Sequence, residues 1–145
     1  MARDAAQQLR IEFVERHVRS VDDLRAGLRT LKAGEADAIF VAGDAMTTSH
    51  AQLIADAART RKLPTMFNER TSVVAGGLAG YGTSYHAVGR LAAKYVHRVL
   101  LGTSPADLPV ERFDRFALVI NLKTARAIGL TIPQSVLGRA DELIQ

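Results

Sequence analysis

Cysteine is absent from the 145 residues, so neither a disulfide nor a thiolate metal site can be built, and cysteine usage marks no redox compartment. Tryptophan is absent as well, and aromatic residues make up only 6%. No apolar run approaches the ~20 residues that cross a bilayer, so membrane insertion is not expected. The four histidines, His17, His50, His86 and His97, fall at no metal-ligand spacing, and there is no GxxxxGK[ST] phosphate loop. Neither a metal nor a cofactor is expected.

What is present is ordinary globular composition. Hydrophobic residues make up 48% and charged residues 23%, in a chain about one domain long that is able to bury a core. The net charge is +4, but the basic residues are scattered singly (Arg25, Arg29, Arg59, Arg90, Arg98, Arg126) on polar helix faces. That pattern fits a solvated basic surface rather than a nucleic-acid interface.

Strand and helix signals alternate along the chain. The run IEFVERHV at 11–18 alternates apolar and polar residues and predicts a strand; Ser20 with Asp23 resembles a capping box opening a helix that Gly34 ends. The apolar run 38–42 predicts a buried strand, completing a βαβ unit. Ser49 is the expected cap of the next helix, with Leu53, Ile54, Ala57 and Ala58 inward, followed by a short strand at 64–68. An irregular turn is expected at 73–77 and a strand at 78–81. Ser84 should cap a long helix with the stripe Val88, Leu91, Ala92, Tyr95, Val96, Val99 and Leu100. Gly102 stops it, and a proline-punctuated connector leads to a strand at 116–120. Asn121 should cap a short helix ending at Gly129, and Pro133 should open a final helix with Val136, Leu137, Ala140, Leu143 and Ile144 inward. The expectation is an α/β fold, a three-layer parallel sheet flanked by helices, forming a single lobe over 1–145.

In such sheets ligands sit at the carboxyl ends of the strands, so the loops beginning at Gly43, Asn68 and Tyr81 carry the candidate site. Asp44 precedes three hydroxyl residues, Thr47, Thr48 and Ser49. This run either holds a ligand or merely caps a helix. Glu69 could receive a ligand amine; Arg70 could grip a ligand carboxylate or pair with Glu69 itself. Tyr81 and Tyr85 flank Gly82 and offer flat apolar area with a polar tip. Packing on the surface is the alternative for either one.

Catalytic readings find little support. Ser84 and His86 lie close in sequence, but residues two apart at a helix start do not face each other, and no orienting third group is evident. No catalytic residue is therefore assigned, and an enzyme is not expected.

The ordered set DAIFVAGD, RTRKLPTMFNER, GGLAGYGTSYHAVGR, GTSPADLPVE and NLKTARAIGLTIPQSVLGRADELI resembles the carboxyl-terminal part of ABC transporter substrate-binding proteins, the tryptophan- and amino-acid-type binders of type I periplasmic binding protein fold. The resemblance implies one lobe of a two-lobe protein, with the ligand in the cleft between lobes. It further implies a solute-binding component that takes up an amino acid or small organic solute. Asp44, Thr47, Glu69, Tyr81 and Tyr85 would line this lobe's wall, and an ABC permease would be the partner of the full-length protein. Such proteins are periplasmic or lipid-anchored. The chain as written shows neither an export signal nor an amino-terminal lobe, and would as such stay cytoplasmic as a truncated unit. Apolar surface meant for a missing lobe would favour self-association. The alternatives are the ligand-sensing domain of a transcriptional regulator, or a small α/β enzyme using Glu69 or His86.

Overall fold

The computed structural model describes residues 2–32 and 34–145. Their contacts divide into two compact units, one ending at Lys32 and one following it.

The first unit contains helix α1 (Ala2–Gln8) and helix α2 (Val21–Thr30). α2 starts where the sequence places it: the Ser20 hydroxyl accepts from the Asp23 backbone N–H at 3.0 Å, and the Asp23 carboxylate accepts from Arg19 N–H at 3.1 Å. It ends at Thr30, ahead of Gly34. The strand expected at 11–18 does not form, and with it goes the leading βαβ unit. A strand needs a partner for its backbone groups, and the sheet begins only at Ile39. The segment is held instead by side chains, Arg3 to Glu15 at 2.6 Å and Arg16 to the Thr30 hydroxyl at 3.2 Å. Its apolar residues Ile11 and Val14 are 58% and 64% exposed.

The second unit is built on a five-stranded sheet in the order β1-β2-β3-β4-β5, formed by β1 (Ile39–Phe40), β2 (Thr65–Phe67), β3 (Ala79–Thr83), β4 (Phe116–Asn121) and β5 (Glu142–Ile144). Between β1 and β2 lie α3 (Ala45–Ser49) and α4 (Ala51–Thr60), and α5 (Arg70–Val74) joins β2 to β3. α6 (Tyr85–Leu100) and a 3-10 turn at Pro105–Asp107 lead to β4; α7 (Leu122–Ile128) and α8 (Gln134–Leu137) lead to β5. The first three strands run parallel, as expected for α/β alternation.

β3 and β4, however, pair antiparallel, with Thr83 opposite Phe116. The sheet is therefore mixed, a correction to the all-parallel expectation. A parallel return requires a crossover helix packed on the sheet, and α6 contributes no buried residue. The chain leaves after Thr83 and re-enters beside the point of departure, so β4 must run backwards.

The core lies between the sheet and its helices. Phe67 and Ile120 are each 2% exposed and Val73 is fully enclosed; α4 adds Ala51, Ile54, Ala55 and Ala58, an i, i+3, i+4, i+7 stripe. Ala125 and Ile128 of α7 pack with Leu78, against which Ala79 and Ile132 also rest. The α7 boundaries match their signals: the Asn121 side chain accepts from Thr124 N–H at 3.0 Å, and Gly129 ends the helix in the left-handed region.

Three other boundaries differ from the sequence expectation. Ser49 closes α3, its hydroxyl donating to the Ala45 carbonyl at 2.6 Å, and α4 follows His50 without a side-chain cap. The region of the expected turn is partly helical, because burying Val73 against the sheet anchors α5 through Val74; only Gly76-Gly77 is left as the turn. The last helix stops at Leu137. Asp141 then fastens the chain to Leu118, its carboxylate accepting from Leu118 N–H at 2.7 Å and its own N–H donating back at 2.8 Å. That places Glu142, Leu143 and Ile144 as a strand on β4 rather than on a helix face.

Candidate functional site

Because β1, β2 and β3 are parallel neighbours, their carboxyl ends share one edge. There the loop after β1 and the end of β3 both close on Asn68, the residue after β2. A Cβ added to Gly43 would collide with the Asn68 side-chain amide, and one added to Gly82 would collide with the Asn68 carbonyl oxygen. Glycine at both positions is thus what allows the loops to converge. The sequence named Asn68 only as the start of a loop and gave it no role; the signal available for one was a glycine at the end of each neighbouring strand segment, Gly43 after β1 and Gly82 within β3.

In the first loop, Asp44 and Thr47 form a reciprocal capping box. The Asp44 carboxylate accepts from Thr47 N–H at 2.8 Å, and the Thr47 hydroxyl oxygen accepts from Asp44 N–H at 3.0 Å. That hydroxyl also donates to the Ala42 carbonyl at 3.0 Å. The backbone N–H of Thr47 is the main cause holding the Asp44 carboxyl below its ordinary range. Of the two readings of this run, capping is the one visible in the hydrogen bonds: Thr47 is buried and occupied, and Asp44 is exposed.

The second loop differs. Glu69 precedes α5 but makes no capping bond. It is 8% exposed, and its Oε1 is buried without a hydrogen-bond partner among the described residues. The adjacent cation does not serve it. Arg70 binds Glu142 of β5 through Nε and Nη2, each at 2.7 Å. The pair raises the pKa of Arg70 and lowers that of Glu142 through their shared hydrogen bonds.

The third loop separates the two tyrosines. Side chains alternate across a strand. Since the missing Cβ atoms of Gly80 and Gly82 face Val73, Glu69 and Asn68, Tyr81 stands on the opposite face of β3 from the Glu69 loop. There it stacks on Phe116, ring centroids 5.6 Å apart, and with Leu118, Val136 and Arg139 lines an open cavity of about 360 Å³. Tyr85 begins α6 and is 66% exposed. The Ser84 hydroxyl accepts from Ala87 N–H at 3.4 Å, a helix cap. Among the described residues no group of three or more His, Cys, Asp or Glu is placed to hold a metal ion.

The edge can thus present a carboxylate, an amide and a phenol to a small molecule. The sequence profile of the ABC transporter substrate binding proteins matches residues 1–144. The chain belongs to this family. It is similar to a tyrosine-binding protein of Clostridioides difficile (strain R20291), 28% identical over 127 residues, covering 88% of this chain and 36% of that protein. Among solved structures it is similar to an ABC domain in complex with L-Trp from Streptococcus pneumonia, with a TM-score of 0.83 and 30% identity over 97% of this chain and 48% of the other. A conserved domain protein of Vibrio cholerae gives a TM-score of 0.82 and 29% identity, over 97% and 47%.

The chain therefore spans half or less of the length of these relatives. Their fold agrees with the mixed sheet and flanking helices seen here. Among the described residues no helix is long and apolar enough to cross a membrane.

Proposed function

We propose that this chain is one lobe of the solute-binding component of an ABC transporter. In this reading the shared edge of β1, β2 and β3 is a wall of the binding cleft, and an amino acid or small organic solute is the ligand. The observation that carries the reading is the close approach of the loop after β1, at Gly43, and of the end of β3, at Gly82, to Asn68 beyond β2 in a chain of the substrate-binding family. The relatives named for tyrosine and solved with L-Trp support an amino acid as the solute. Within the wall, Asp44 and Thr47 hold the first loop in shape, while Glu69, Asn68 and Tyr85 offer groups to the ligand. Tyr81 contributes the flat floor of a neighbouring cavity.

The companion lobe belongs to the same reading. From residue 84 to 118 no residue is buried, although α6 is amphipathic and Leu100 and Val96 are 79% and 57% exposed. That face is what a second lobe would cover, and alone it supports self-association. Binding without catalysis, an extracytoplasmic location and delivery to a permease complete the proposal.

An NMR titration of the 15N-labelled chain with amino acids and small organic acids tests it. Shifts clustered at 43–47, 68–69 and 82–85 are expected. A chain indifferent to every solute at millimolar concentration refutes the proposal.

A further inference from the structure

We infer that the cavity on the opposite face of β3 from the Glu69 loop is a second ligand site, which takes a planar aromatic ring carrying a carboxylate and no ammonium group. The site goes beyond the solute edge and stands independently of it.

The cavity exists because the cover of the sheet ends early. Tyr81 pairs with Leu118 and Thr83 with Phe116 in the antiparallel ladder, so these side chains share one face with Ala79 and Ile120, two residues along it. At Ala79 and Ile120 that face is closed: Ala79 rests against Leu78, Ala125 and Ile128, and Ile120 is 2% exposed. Beyond them it opens. Tyr81 and Phe116 are 54% and 53% exposed, yet their rings stack diagonally across the ladder at 5.6 Å, with planes 26° apart. Core packing does not account for a pair left more than half in solvent. The rings make a flat floor, bordered by Leu118 and by Val136 of α8, in a volume of about 360 Å³, which is in the range of small-ligand pockets.

Arg139 supplies the charge. Among the described residues it is the one charged group lining the cavity, and its guanidinium enters no ion pair or hydrogen bond with them. The backbone fixes its position: Arg139 N–H donates to the Val136 carbonyl at 3.1 Å, and two residues on Asp141 is clasped to Leu118. That clasp turns the Asp141 carboxylate to Leu118 N–H at 2.7 Å instead of to Arg139. A guanidinium beside an aromatic floor can receive a carboxylate through paired N–H donors while the attached ring stacks below. An ammonium group finds no counter-charge there, because no Asp or Glu lines the cavity. An amino acid is therefore the poorer ligand for this site.

The test is an NMR titration of the 15N-labelled full chain with 3-indolepropanoate, its neutral amide 3-indolepropanamide, and L-tryptophan. The acid is expected to shift the signals of 81, 116, 118 and 136–139, and at these signals to bind about fivefold or more tightly than either the amide or the amino acid. Arg139→Gln should erase the advantage of acid over amide. Arg139→Lys, which keeps the charge without the planar fork, should retain part of it. Tyr81→Leu should weaken acid and amide alike, by about fivefold or more. Because Arg139 is exposed, its variants should melt within about 2–4 °C of wild type; a larger fall makes Arg139 structural and overturns the inference. Equal binding of acid and amide by wild type overturns it, as does a preference that survives Arg139→Gln. Acid-induced shifts confined to 43–47 and 68–69 overturn it while leaving solute binding at the edge standing. Shifts at 81 and 136–139 with the acid, but none at the edge with any solute, sustain this site and refute the solute edge alone.

Discussion

Arg70 and Glu142, which are 72 positions apart, meet in a parallel two-bond fork with both distances 2.7 Å. The fork ties the residue after Glu69 to β5, so the carboxyl-terminal strand braces the second loop of the candidate site. Both side chains are more than one-third exposed, which limits the energy. A double-mutant cycle with Arg70→Ala and Glu142→Gln should give a coupling of about 1 kcal/mol or less in chemical denaturation. A coupling several times larger would show the pair to be shielded from solvent.

The pH dependence follows from the same pair. The folded state depresses the pKa of Glu142, by its hydrogen bond from Arg70; of Asp44, by Thr47 N–H; and of Glu111, by its bond from Lys94. Groups depressed on folding stabilise the protein above their unfolded pKa, near 4, and lose that contribution as pH falls through the folded values. Melting temperature should therefore be flat towards neutrality and decline below about pH 5. In Glu142→Gln the decline should be shallower. An unchanged acid slope in that variant would remove Glu142 from the account.

Glycine substitutions separate the crowded edge from the open helix. At Gly82 an added Cβ meets the Asn68 carbonyl, whereas at Gly89 it meets nothing within 4 Å. Gly82→Ala should lower stability by about 1–3 kcal/mol or more through overpacking. Gly89→Ala, inside α6, should raise it by about 0.5–1 kcal/mol. Urea midpoints check both, and a Gly82→Ala protein as stable as wild type would mean that β3 is not packed against Asn68.

Thr47→Val keeps the shape of the side chain and removes the hydroxyl that serves Asp44 N–H and the Ala42 carbonyl. The expected loss is about 1 kcal/mol of stability, with Thr47→Ser largely restoring it. Unchanged thermal stability in Thr47→Val would sever the hydroxyl from the capping role and return it to the ligand.

Association provides the last check. With Val96 and Leu100 exposed on α6, sedimentation of wild type should show self-association that grows with concentration, and Val96→Glu with Leu100→Glu should abolish it without lowering the melting temperature. A clean wild-type monomer at high concentration contradicts this expectation.

Patterns confined to one element were largely readable from the residues: the Ser20, Ser84 and Asn121 caps and the strand at Phe116 depend on neighbours a few positions away, whereas the α4 stripe, expected on Leu53, Ile54, Ala57 and Ala58, falls on Ala51, Ile54, Ala55 and Ala58. What was not readable depends on distant partners. The alternation at 11–18 reads as a strand, but among the described residues its own unit contains no strand to pair with it. The apolar positions Leu143 and Ile144 suit a helix face as well as a strand, and only the Asp141 clasp on Leu118 decides between them. The candidate site divides in the same way. The strand-end positions were named from the sequence, but that their strands are neighbours is seen only in the pairing; Asp44 is held by Thr47 three residues on, whereas Arg70 leaves its neighbour Glu69 for a partner 72 positions away.

The pairing of Thr83 with Phe116 gives the excursion through α6 a closed base. Its two ends already lie side by side in the β3–β4 ladder, so the entropy of bringing them together is met by strand pairing and grows only slowly with the length between. The excursion is in effect a module on a fixed socket: sequence and length can drift within 84–115 while the edge that carries Glu69 and Asn68 keeps its register.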